Sequence, residues 1–169
     1  MADITNVQMG ACDVEFNSID LGHTDGGVEV AYEAEYADHK VDLYGNSVVD
    51  KRLLGERLTA RVPLAEFTIA NLRNAMPQTQ FAGAANARVT VGAKAGKKAS
   101  DDAYKLVLHP SQEGTRRHDV VFHKAYVEAM EPIAHNNEGQ KLLMVTFVAL
   151  IDESKADGNY LGLIGDSTA

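Results

Sequence analysis

The sequence predicts a mainly β domain, either a sandwich or a partly closed barrel, with a single helix. Three observations carry this reading. Two long segments alternate apolar and polar residues with a period of two. Further short apolar runs, bounded by Gly, Pro, Asn and Asp, bring the expected strands to about seven. Only one stretch has helical spacing.

Taken in order, Gly10 to Phe16 is a short first strand. Ile19 to Gly27 is a turn-rich entry to the first long strand. There Val28, Val30, Tyr32, Ala34 and Tyr36 point one way, and Glu29, Ala31, Glu33 and Glu35 the other. A period of two makes one face apolar and the other acidic. A second amphipathic strand, Arg57 to Leu64, sets Leu58, Ala60, Val62 and Leu64 against Arg57, Thr59 and Arg61. Between them, residues 40–56 read as an oversized charged loop. A hairpin needs only about two to five residues at its tip. This one also holds Val48, Val49, Leu53 and Leu54, which an isolated monomer would leave wet. Loops of that length are usually functional, and this one reads as an arm that reaches into another subunit.

The helix follows. Thr68 is its N-cap, Ile69, Leu72 and Met76 share one face, and Pro77 ends it. Gln78 to Ala103 is rich in Ala, Gly and Lys and reads as a mobile surface excursion, apart from the alternation in Arg88 to Val91. Tyr104 to His109 is a strand stopped by Pro110, and Ser111 to Arg117 is turn-like. Asp119 to Met130 is a long strand broken before Pro132, and His135 to Gly139 is a turn. Leu142 to Ile151 is apolar on both faces and is expected to be buried on both. The C-terminal tail, 155–169, opens as a polar linker. Its Tyr160 to Ile164 is too apolar to hang free and is expected to dock as an added strand or anchor. Residues 1–169 form one domain of a size that can bury a real core.

The apolar fraction of 45% and charged fraction of 24% are those of an ordinary soluble domain. A net charge of −8 opposes nonspecific nucleic-acid binding, which needs a basic face. The single cysteine, Cys12, excludes an internal disulfide and fits a reducing cytoplasm; it reads as a small buried apolar residue. Met1 to Asn6 lacks the basic and apolar regions of a signal peptide. No apolar run approaches the roughly 20 residues that span a bilayer.

No phosphate loop, dinucleotide fingerprint or nucleophile elbow is present, and no catalytic residue, cofactor site or metal site is assigned. His118 and His123, read on one strand and five apart, face opposite sides. His23 and Asp25 read as turn chemistry rather than as an acid–base pair. Lys94, Lys97 and Lys98 read as a solvated loop, or as a contact to an acidic neighbour. The acidic set Glu29, Glu33 and Glu35 is either a solvated outer face or a face that lines something. An enzyme is the function class least supported.

The segment Leu21 to Val30, then Tyr44-Gly45-Asn46, then Leu54-Gly55-Glu56 through Val62-Pro63-Leu64-Ala65-Glu66, resembles the tail tube proteins (major tail proteins) of long-tailed bacteriophages and of related gene transfer agents. Asn71 to Pro77, Leu106 to Pro110, Phe122 to Ala125 and Leu163 to Asp166 extend the resemblance in the family's order; Gln78 to Ala103 matches least.

The resemblance implies a β-sandwich with one flanking α-helix, whose inner sheet joins a ring-wide β-barrel on hexamerisation. Rings then stack into a hollow tube that conducts double-stranded DNA and houses the tape measure protein. Tail terminator and distal tail proteins are the implied end partners. The implied location is the virion tail, assembled in the host cytoplasm. On this reading Glu29, Glu33, Glu35, Arg57 and Arg61 line the lumen, the arginines moderating the acid through cross-strand ion pairs. Val48, Val49, Leu53 and Leu54 grip the next ring. The alternatives are an inner-tube protein of a contractile injection or secretion system, and a monomeric β-sandwich binding module.

Overall fold

Alternating β-branched and aromatic residues carry about half of the described residues into antiparallel strands. The structure is a computed structural model and describes residues 10–82, 88–92, 95–112, 114–131, 133 and 141–168. The expectations for Met1 to Asn6, Lys94, Pro132 and the turn at His135 to Gly139 lie outside those residues. Among the described residues the strands are β1 (Cys12–Phe16), β2 (Ile19–Asp20), β3 (Glu29–Lys40), β4 (Val48–Leu64), β5 (Gln80–Ala82), β6 (Arg88–Thr90), β7 (Tyr104–Pro110), β8 (Asp119–Met130), β9 (Leu143–Leu150) and β10 (Gly162–Gly165). Among the described residues the one α-helix, α1, is Ile69–Ala75.

Eight strands form one antiparallel sheet in the order β2-β1-β7-β8-β9-β4-β3, with β10 added on β8. β8 carries β7 along one side. Along its other side lie β10, beside residues 119–122, and β9, beside residues 124–130. The sheet coils strongly. Phe16 on β1 and Phe147 on β9 are separated by two strands, yet their ring centroids are 5.0 Å apart. The two rings anchor a core of Val14, Leu58, Val62, Leu106, Phe122, Leu143 and Val145, among others. Each such side chain contributes about 1.5–3 kcal/mol by leaving water. β9 lies mid-sheet and buries Leu143, Val145, Phe147 and Ala149 on the core face; on the other only Val148 is buried, with Met144, Thr146 and Leu150 partly so, and Ile151 is exposed, so the expected two-sided burial holds only in part.

α1 begins where Thr68 Oγ1 accepts the Asn71 amide at 3.1 Å. The Asn71 side chain also donates to Leu21 O at 3.0 Å and Glu66 O at 3.1 Å, fastening the helix to the entry segment. There Gly22 has φ +83°, and a Cβ would meet the Glu66 carboxyl at 2.6 Å. Thr24 bridges Leu64, extending the antiparallel pairing along β4 ahead of β3.

Four expectations change. The second long strand starts at Val48, nine residues before Arg57, so most of the segment 40–56 is paired strand and only 41–47 is loop. Pro110 ends β7 from inside it, paired with Cys12. The excursion from Gln78 to Ala103 contains the β5–β6 ribbon and a 3-10 turn at Ala99–Asp102. His118 precedes β8 and does not share a strand with His123. The tail does add a strand: β10 pairs antiparallel to β8.

Candidate assembly surface

The β3–β4 hairpin is the largest feature that the core does not absorb. Its register sets Glu29 opposite Arg61, Ala31 opposite Thr59, Glu33 opposite Arg57, and Glu35 opposite Gly55. The other face sets Val30 against Ala60, Tyr32 against Leu58, Ala34 against Glu56, and Tyr36 against Leu53. Opposed residues in an antiparallel pair share a face, so the hairpin has one charged and one mostly apolar side.

Two irregularities shape it. Leu54 has no partner between the pairs Glu35–Gly55 and Tyr36–Leu53. Val49 has none between His39–Asp50 and Lys40–Val48. Each is a β-bulge, one extra residue that bends and twists the ribbon. The doublets Leu53-Leu54 and Val48-Val49 broke the alternation in the sequence for this reason. The tip is ordered by hydrogen bonds from Tyr44 N to Val41 O, Gly45 N to Asp42 O and Ser47 N to Tyr44 O, with Gly45 at φ +61°.

At its base the apolar face is core: Leu58 and Ala60 are buried. Further out it is wet. Tyr32 is 58% exposed and Leu54 61%, and Val30, Tyr36, Val48, Val49 and Leu53 are also exposed. The four side chains predicted to be unburied in a monomer are therefore unburied, but they sit on β4 and not in a loop. β3 is the terminal strand of the sheet, and among the described residues no strand pairs with its outer edge. Unpaired backbone beside exposed apolar surface is a template for association.

The charged face is partly wired. Arg57 Nη2 lies 2.5 Å from Glu128, the extra residue of a bulge in β8. Arg61 lies 2.5 Å from Glu131 and 3.8 Å from Glu29. The expected cross-strand pairing thus appears only as the long Arg61–Glu29 contact; Arg57 turns away from Glu33. The structure brings Glu29, Glu33, Glu35, Arg57 and Arg61 onto one face and adds Glu128 and Glu131. Five carboxylates face two guanidiniums there.

Sequence reasoning missed a second polar cluster. Asp119 is fully buried. It accepts Ser167 Oγ at 2.5 Å and Arg116 Nη1 at 3.4 Å, and its Oδ1 lies 2.5 Å from His109 Nδ1. Burial opposes its charge, but the Ser167, His109 and Arg116 contacts outweigh that and hold its pKa below the usual value. His109 and Asp119 become neighbours only through the β7–β8 register, which the sequence does not display. Cys12 is half-buried against the core. Burial first, then Asp13 and Asp119, push its thiol up to about 11, so it stays protonated and a poor nucleophile at neutral pH. His23 lies 3.8 Å from Glu66 on an exposed surface.

Among the described residues no three His, Cys, Asp or Glu side chains converge as metal ligands, and no helix is long and apolar enough to cross a membrane. No protein-family model and no curated protein matches this chain.

Proposed function

We propose that this protein is a structural tube-forming subunit, the tail tube protein of a long-tailed phage or a related gene transfer agent. Six copies close into a ring, rings stack, and the hollow tube conducts double-stranded DNA and houses the tape measure protein. On this reading the coiled sheet is a β-sandwich flanked by α1. The β3–β4 hairpins of neighbouring copies complete a ring-wide barrel, capped at its ends by tail terminator and distal tail proteins. The tube belongs to the virion tail and assembles in the host cytoplasm.

The observation that carries the proposal is the hairpin itself. It is long, its β3 edge is unpaired among the described residues, and its inner part, from Glu29 to Tyr36 and from Leu53 to Arg61, is amphipathic, with the wet apolar side chains of Tyr32, Tyr36, Leu53 and Leu54 beyond the core. Ring closure removes the edge and covers the apolar side. The opposite face, with its excess of carboxylates, then suits a channel wall. DNA slides along a surface that repels phosphate and sticks to one that attracts it.

Electron microscopy of the purified full chain tests the proposal. Rings or tubes of fixed diameter are expected. Monodisperse monomers at high concentration would sink it in favour of a binding module, and a contractile sheath around the tubes would move it to an injection system.

A further inference from the structure

The β1–β2 turn, the C-terminal end of α1 and the start of β7 enclose a cavity of about 360 Å³. Ile19, Pro77 and the Tyr104 ring give it apolar walls, and Asn17, Asn74 and Thr79 stand among them. Small-molecule sites span about 300–1,000 Å³, so this one suits a ligand of one sugar ring. We propose that the cavity binds a pyranose sugar through the Tyr104 hydroxyl and the side-chain amides of Asn17 and Asn74. The site lies apart from the β3–β4 hairpin and stands whether or not the chain builds a tube.

These polar groups are held in place but not used within the fold. Thr79 Oγ1 donates to Met76 O at 2.7 Å. By contrast, among the described residues nothing hydrogen-bonds the Tyr104 hydroxyl or the Asn17 and Asn74 amides. Tyr104 and Asn74 are half-buried, and polar side chains so placed usually have a partner. Their positions are fixed. Phe16 packs edge to face against Tyr104, with centroids 5.8 Å apart and planes at 82°. Asn17 N donates to Lys105 O at 2.9 Å, which ties the turn to β7. Asn17 and Ser18 both lie in the left-handed region, at φ +54° and +60°. A two-residue hairpin turn needs that geometry and usually takes glycine second. Keeping serine there stores backbone strain beside the cavity, as ligand sites often do.

The lining selects the class of ligand. Among its described residues there is no carboxylate, so nothing there pairs with a cation. Its one cation, Arg73, already has a partner in the fold, and a chain of net charge −8 repels anions. A purely apolar ligand would cover the amides and the hydroxyl without pairing them, which is costly. Two amides and a hydroxyl remain, each able to donate and to accept, beside an aromatic ring and a proline. A pyranose has the matching form. Its C–H faces are apolar and pack on rings, and its hydroxyls radiate from the edge as both donors and acceptors.

Saturation-transfer NMR on the full chain tests the inference. The probes are methyl glucoside, methyl galactoside and N-acetylglucosamine, with acetate and tetramethylammonium as charged controls. Transfer to the ring protons of at least one sugar is expected, at millimolar affinity, because one ring makes few contacts. Tyr104→Phe keeps the ring and its packing on Phe16 and removes only the hydroxyl. It and Asn74→Ala are each expected to weaken binding about two- to tenfold, the worth of one hydrogen bond. Gln112→Ala, an exposed change beyond the far end of β7, should leave binding as it is. Circular dichroism checks that each variant is folded, and if Asn74→Ala is not, Tyr104→Phe alone decides. No transfer to any sugar would overturn the inference, and so would transfer that Tyr104→Phe leaves at full strength. Tighter binding of acetate or tetramethylammonium than of every sugar would overturn it as well, since the site would then be one for ions.

Discussion

Asp119 shows how much of this fold one side chain can hold. It joins β7 through His109, the following turn through Arg116 and the C-terminal segment through Ser167. Asp119→Asn keeps the shape but loses the charge that all three partners address. A loss of about 1–3 kcal/mol is expected, the cost of leaving buried partners poorly matched, read as a lower thermal midpoint at pH 7. The pH dependence has a definite sign. The folded pKa lies below the ordinary carboxylate value. The stabilisation is therefore fully present above the unfolded-state pKa and is lost as pH falls through the folded one. Melts from pH 7 down to pH 2.5 should show an acid limb in the parent that is shallower in Asp119→Asn. A limb of equal depth in both would place the acid sensitivity at other carboxylates.

Among the elements, the hairpin and β10 are separable. The Tyr36–Leu53 pair is well placed for a shorter turn. Replacing residues 37–52 by Asn-Gly closes a two-residue hairpin there and removes Val48 and Val49 with the tip. That variant is expected to fold, with circular dichroism and a melting midpoint near the parent's, and to form no tubes under microscopy. Tubes of normal length would show that the outer hairpin is dispensable. β10 is more fragile than its length implies. A Cβ at Gly162 would sit 2.2 Å from Val121 O, a backbone atom that cannot step aside. Gly162→Ala should therefore displace the strand and destabilise the fold by about 1–3 kcal/mol, with amide exchange rising across residues 162–165 and 119–122.

The elements differed in how clearly the sequence displayed them. Alternation located β3, the inner half of β4 and β8; the inner half of β4 and β8 turn one face to the core, whereas the apolar face of β3 stays exposed. The Thr68 cap and Pro77 located α1. The outer half of β4 stayed hidden because Val49 and Leu54 each insert a residue, and a single insertion swaps the apparent faces of everything beyond it. Both polar networks were hidden for another reason. Arg57–Glu128 and His109–Asp119 link residues whose proximity comes from strand order and register, and those are tertiary facts.

At the scale of the whole molecule, the charged face is where the proposed function meets DNA. Glu33→Lys with Glu35→Lys reverses the sign of that wall and leaves the apolar side untouched. Neither glutamate takes part in the short ion pairs of Arg57 with Glu128 and of Arg61 with Glu131, so folding and tube formation should survive with a stability change below about 1 kcal/mol per site. DNA ejection from assembled particles should slow or stall, timed against parent particles of the same tube length. Ejection at the parent rate would mean that this face does not line the channel.

The strand order also sets the sequence of events in folding. β3 and β4 are neighbours along the chain and close around a short tip. β1 must wait for β7, and the contact between Asp13 and Ser111 spans 98 positions. Local pairs form quickly and distant ones slowly, so the arm is expected to form before the body that anchors it. A chain in that interval already displays the hairpin's exposed apolar surface and has no finished domain behind it. Refolding yield should therefore fall as protein concentration rises. The hairpin proposed to build the assembly is also the first place where two unfinished chains can trap each other.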